Sequence, residues 1–84
     1  MERWCMTTDG VLVNLSHMEI IYRPYSYHNG EWCQVWARGM DGYNIRLADG
    51  FSDKRESDSF INKLRSYVDC NMVLKEVREE IKHG

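Results

Sequence analysis

A chain of 84 residues, 43% hydrophobic and 29% charged, has the make-up of one small folded domain and is too apolar to read as disordered. Its formal charge of −2 is evenly spread: residues 1–48 carry four basic and five acidic groups, residues 49–84 seven and eight, which excludes a basic nucleic-acid arm. No apolar run approaches the roughly 20 residues that cross a bilayer.

The first residues, Met-Glu-Arg-Trp, lack the apolar core of a signal peptide, so the expected location is the cytoplasm. Cys5, Cys33 and Cys70 are odd in number and widely spaced, which argues against a disulfide framework or a zinc knuckle. Cys33 is expected to pack as a small apolar residue.

Taken in order, Arg3 to Thr7 reads as a short edge strand and Thr8-Asp9-Gly10 as a turn. Val11 to Leu15 is apolar and β-branched enough for a buried strand. Asn14, Ser16 and His17 then offer side chains that bond local backbone and break it. Glu19 to Tyr27 is a third strand, and Pro24 makes it an edge or places a bulge there.

Asn29-Gly30 is a strong hairpin signal. As a two-residue turn it pairs His28 with Glu31, and hence Arg23 with Trp36, Tyr25 with Gln34, and Tyr27 with Trp32. Glu31 to Ala48 forms the central hairpin. Cys33, Val35 and Ala37 alternate with Trp32, Gln34, Trp36 and Arg38. Tyr43, Ile45 and Leu47 alternate with Asn44, Arg46 and Ala48. A Met40-Asp41-Gly42 loop, with Gly42 left-handed, pairs Ala37 with Ile45, Val35 with Leu47, and Trp36 with Arg46. A four-residue loop would exchange the faces. The first register is preferred because it keeps Arg38 and Arg46 out of the core. It places Ile20, Tyr22 and Pro24 inside with Cys33, Val35 and Ala37.

After Leu47 the period changes. Asp49-Gly50 is a turn, and Asp53 with Glu56 forms a capping box. Ser57, Phe60, Ile61, Leu64 and Val68 then fall on one helical stripe. Val73, Leu74, Val77 and Ile81 make a second, shorter amphipathic stretch, either a helix capped by Asn71 or a kinked extension. Strands first and helices after imply one α+β domain over residues 1–84: a twisted antiparallel sheet of about four to five strands within 1–48, packed by a C-terminal helix within 49–84.

Three stretches, VLVNLSHMEII, EWCQVWARGMDGYNIRLA and FSDKRESDSFINKL, carry a resemblance. Their marks are Val13-Asn14-Leu15, the Asp41-Gly42 turn, and Phe51 followed by the Asp53 cap. Over about residues 11–68 the chain resembles small bacterial and phage proteins that pair a curved, pleckstrin-homology-like antiparallel sheet with one C-terminal helix. Small phage inhibitors of bacterial defence systems, anti-CRISPR proteins among them, are similar in size and layout. The resemblance implies a fold and transfers no functional residue.

For catalysis, no cysteine has a histidine near it in sequence, and His17, His28 and His83 are scattered, so no enzyme is expected. Glu79 and His83 stand at metal-ligand spacing on a helix, but a solvated helix end accounts for them, and no metal or cofactor is expected. The stronger feature is an aromatic and cationic face: Arg23, Tyr25, Tyr27, Trp32, Trp36, Arg38 and Arg46. Trp, Tyr and Arg dominate binding hot spots because they bury large area at modest entropic loss.

That face implies a non-catalytic module binding another protein, and the resemblance to small phage proteins implies an inhibitor of a bacterial defence complex. Nucleic-acid stacking, burial in a homodimer, and a Trp36–Arg46 cation–π pair are the alternatives.

Overall fold

The computed structural model describes residues 3–23, 34–66 and 72–83. Its elements are β1 (Trp4–Met6), β2 (Leu12–Asn14), a 3-10 turn (Leu15–His17), β3 (Met18–Tyr22), β4 (Val35–Gly39), β5 (Asn44–Ala48), α1 (Lys54–Ser66), β6 (Met72–Val73) and α2 (Leu74–His83). The α+β architecture is the one the sequence implies, with the strands divided between two small sheets, ordered β2-β1-β6 and β3-β4-β5. Every described pairing is antiparallel except β1 with β6, which is parallel.

The corner between the sheets follows from local chemistry. Asn14 ends β2, and its Oδ1 accepts the backbone N–H of Ser16 at 3.0 Å and of Arg3 at 3.2 Å. This side-chain bond competes with the ladder and rolls the chain into the 3-10 turn. Beyond it, the His17 carbonyl accepts from Met40 N–H at 3.2 Å, which ties the corner to the β4–β5 loop.

The β4–β5 hairpin has the preferred register at its tip. Trp36 faces Arg46, Ala37 faces Ile45 and Arg38 faces Asn44. Gly39 N–H donates to the Tyr43 carbonyl at 2.8 Å, and Gly42 has φ 89°, the left-handed conformation the three-residue loop requires. Further down, the expected Val35–Leu47 pair is replaced by Val35–Ala48. Leu47 is the extra residue of a bulge, and its carbonyl accepts from Thr8 N–H at 3.1 Å. A bulge bends its strand and frees backbone from the ladder, so here the end of β5 reaches the β1–β2 turn.

The β3–β4 register differs from the expectation by one residue. Tyr22, not Arg23, faces Trp36; Ile21 faces Ala37 and Ile20 faces Arg38. A ladder running unbroken from a His28–Glu31 pair would have set Arg23 there. Ile20 and Tyr22 therefore lie on the outer face, and Ile21 and Arg23 on the inner one. Pro24 and the Asn29-Gly30 turn lie outside the described residues, as do Cys33 and Cys70.

Helix α1 begins at the expected cap, with Asp53 Oδ1 accepting Glu56 N–H at 2.8 Å. The return bond differs from a capping box by one residue: Glu56 Oε1 accepts Ser52 N–H at 2.6 Å in place of Asp53 N–H. Phe60 and Leu64 are buried on the inner face of β3-β4-β5, in one core with Val13, Leu15, Val35, Ala37, Leu47, Phe51, Leu74 and Val77. Phe51 and Phe60 meet tilted, with centroids 5.1 Å apart. Each such buried side chain contributes about 1.5–3 kcal/mol.

The second stretch is a separate helix that docks on the domain. Val73 belongs to β6, beside Met6, and is not part of the helical stripe. Leu74 and Val77 of α2 are buried, Ile81 packs partly against the core, and Lys63 of α1 bridges Glu80 of α2 at 2.9 Å.

The loop at Asp49-Gly50 is held from α2. Arg78 Nη1 donates to the Asp49 carbonyl at 2.9 Å and to its Oδ1 at 3.1 Å, and Lys82 Nζ donates to the Gly50 carbonyl at 2.7 Å. Gly50 has φ 83°, and a Cβ there would stand 3.2 Å from Arg78 Nη1, so both conformation and space favour glycine. Bonds to charged groups are worth about 1.5–3 kcal/mol. Arg78→Met, which keeps the apolar stem, is expected to lower unfolding free energy by that amount in urea denaturation.

Cys5 is fully buried, and that burial pushes its thiol from 9.0 up to about 11, partly offset by the Arg3 charge. The folded state keeps the proton that the unfolded state loses above pH 9, so stability falls as pH rises from about 9 through 11. Cys5→Ala is expected to flatten that loss, read from urea midpoints between pH 8 and 11.

Candidate protein-binding face

The outer face of β3-β4-β5 is built as two rows across three strands. One row is Tyr22–Trp36–Arg46, the other Ile20–Arg38–Asn44. The hairpin register and the alternation of β4 place Trp36 and Arg38 there, with Val35 and Ala37 buried beneath.

A bulge on β3 shapes the second row. Met18 pairs Gly39 and Ile20 pairs Arg38, so Glu19 is the extra residue. Its carboxylate stands 4.0 Å from Arg38 Nε. With Arg38 half exposed and Glu19 64% exposed, this pair is loose and solvated. Ile20 is 42% exposed.

The first row is tied down at its polar ends. Tyr22 Oη donates to Asn44 Oδ1 at 3.0 Å, reaching across β4. Trp36 is half-buried, and its Nε1 donates to Gln34 Oε1 at 2.9 Å. These bonds fix two aromatic rings side by side with their edges satisfied.

The seven residues singled out from sequence divide three ways. Trp36, Arg38 and Arg46 share the outer face, as expected. Tyr25, Tyr27 and Trp32 lie outside the described residues. Arg23 leaves the set: with Tyr22 opposite Trp36, its side chain turns to the inner side, where Nη2 pairs with Asp58 of α1 at 3.0 Å. Ile20 and Tyr22, expected inside, take its place. Their strand reads Glu-Ile-Ile-Tyr-Arg, with an isoleucine for either face, so its alternation carries no preference.

Arg46 has a structural task. Its Nε and Nη2 donate to the two carboxylate oxygens of Asp9, each at 2.9 Å, and Nη1 lies 3.9 Å from Asp49 Oδ2. The guanidinium is spent on this two-pronged pair, which joins β5 to the β1–β2 turn. Nothing in the local sequence signals a partner 37 positions away.

Elsewhere, Glu79 is engaged by its own neighbours, with Oε1 3.2 Å from Arg78 Nη2 and Oε2 3.4 Å from His83 Nε2. Among the described residues no three His, Cys, Asp or Glu side chains gather to hold a metal ion, and no helix is long and apolar enough to cross a membrane.

Comparison with protein-family models, with curated proteins and with solved structures finds no match. The reading of the face therefore rests on its geometry.

Asp9 and Arg46 are both partly solvated, a setting in which ion pairs contribute at most about 1 kcal/mol. A double-mutant cycle of Asp9→Asn and Arg46→Gln, followed by urea denaturation, is expected to give a coupling of about 0.5–1 kcal/mol.

Proposed function

We propose that this chain is a non-catalytic protein-binding module that docks through the outer face of β3-β4-β5. The observation that carries the reading is the juxtaposition of Ile20, Tyr22 and Trp36 with Arg38, on the side of the sheet away from both helices. Aromatic rings held by internal hydrogen bonds lose little entropy on binding. Arg38, held only loosely by Glu19, supplies a donor fork for a carboxylate at the rim. The partner surface that fits is apolar at its centre with an acidic group beside it.

The narrower form of the proposal, inhibition of a bacterial defence complex, draws on the resemblance of residues 11–68 alone. The even charge balance speaks against nucleic acid, since such binding rests on several neutralised phosphates.

The test is capture from lysate of the source cell, with and without nuclease treatment, on immobilised wild type, Trp36→Ala, Arg38→Glu and, as a control on the helix surface, Arg55→Glu. The expected result is one protein retained by wild type and Arg55→Glu and reduced at least about tenfold, roughly 1.4 kcal/mol, by either face variant. Equal retention by all four, or loss of retention on nuclease treatment, would overturn the reading.

A further inference from the structure

Two opposite charges stand open on the outer face of β3-β4-β5, Glu19 on the edge strand and Arg38 on the central one. Arg46, the other cation of the face, is held by both carboxylate oxygens of Asp9. Glu19 reaches the face through the β3 bulge. In a ladder continued unbroken from Ile20, strand alternation would turn its side chain to the inner side. As the extra residue it stands beside Arg38 instead.

The two groups are close enough to attract and too far apart to satisfy each other. Glu19 Oε2 stands 4.0 Å from Arg38 Nε, beyond hydrogen-bond reach, and among the described residues neither has another ion-pair partner. Both side chains are at least half exposed, so solvent satisfies them in the free protein.

A protein laid over Ile20, Tyr22 and Trp36 strips that solvent. Burying a charge without a hydrogen-bonded opposite charge is strongly unfavourable, and a single 4.0 Å contact does not offset it. A surface that fits brings a group for each: a carboxylate to the donor fork of Arg38, and an ammonium or guanidinium to Glu19. The strands fix their order, with the partner's anion over β4 and its cation over the free edge of β3. A surface that is acidic alone suits Arg38 but is repelled by Glu19, so the pair selects as well as anchors.

We infer, on the reading that this face docks a protein, that the partner carries an adjacent carboxylate and basic side chain beside its apolar centre, and that Glu19 determines specificity by pairing with the latter.

The probe is the protein retained by wild type in the capture above, purified and titrated by calorimetry against wild type, Glu19→Gln, the charge-reversed double variant Glu19→Arg with Arg38→Glu, Trp36→Ala and Arg55→Glu. Glu19→Gln is expected to weaken binding about tenfold. The double variant restores an internal opposite-charge pair and is expected to bind no better than Glu19→Gln. Undiminished binding by Glu19→Gln, with Trp36→Ala still weakened, would overturn the inference and leave the docking reading standing. Wild-type affinity in the double variant would do the same, since the two charges would then matter only to each other. No protein retained by wild type, or equal affinity throughout the series, would overturn both.

Discussion

The structure turns on Asp49. Its carboxylate accepts from Thr8 Oγ1 at 3.2 Å and from Arg78 Nη1 at 3.1 Å, with Arg46 Nη1 3.9 Å away, and its carbonyl accepts from Arg78 as well. One short side chain thus joins the β1–β2 turn, the end of β5 and helix α2. Three-residue strands close little core by themselves, and a domain this small has little apolar burial in reserve. Around Asp49 the two sheets and the second helix become parts of one core, in which Cys5 of β1, Leu47 of β5 and Leu74 of α2 are all fully buried.

Two bulges adapt regular strands to that junction. Leu47 is the extra residue on β5, and the bend gives its carbonyl to Thr8 while Leu47 and Ala48 both stay buried. Glu19 is the extra residue on β3, and it leaves two successive exposed side chains, Glu19 and Ile20, at the rim of the outer face. The fold's constraint and the surface's character therefore have a common origin. Arg46 and Asp9 brace one end of the face, and Ile20 and Arg38 are left open at the other. The arginines of the face, alike in sequence, have different tasks for that reason.

Much of this was legible in the chain. The β4–β5 hairpin could be registered because a glycine suited to the left-handed position and the exclusion of two arginines from the core agree on one pairing. Helix α1 was marked at its start by Asp53 and Glu56 and along its length by Phe60, Ile61 and Leu64. The β3 register was not legible, because a turn signal fixes pairing only while the ladder runs unbroken, and isoleucines on both faces supply no correction. β6 was hidden because Val73, one of its two residues, heads an apolar spacing with Leu74, Val77 and Ile81 that reads as helix. The Asp9–Arg46 pair and the Asp49 junction arise from tertiary contact, which no local pattern encodes. The outer face was half legible: Trp36 and Arg38 followed from the hairpin, whereas Ile20 and Tyr22 depended on the register that the sequence misdirects.

The most direct measurement is the cross-strand pattern of backbone proton contacts in β3 and β4, from isotope-edited NMR of the intact chain. The account predicts Tyr22 opposite Trp36 and Ile21 opposite Ala37, with Glu19 left unpaired between Met18 and Ile20. Arg23 opposite Trp36 would contradict it, because Tyr22 and Ile20 would then turn into the core and the face would lose the residues on which its proposed role rests.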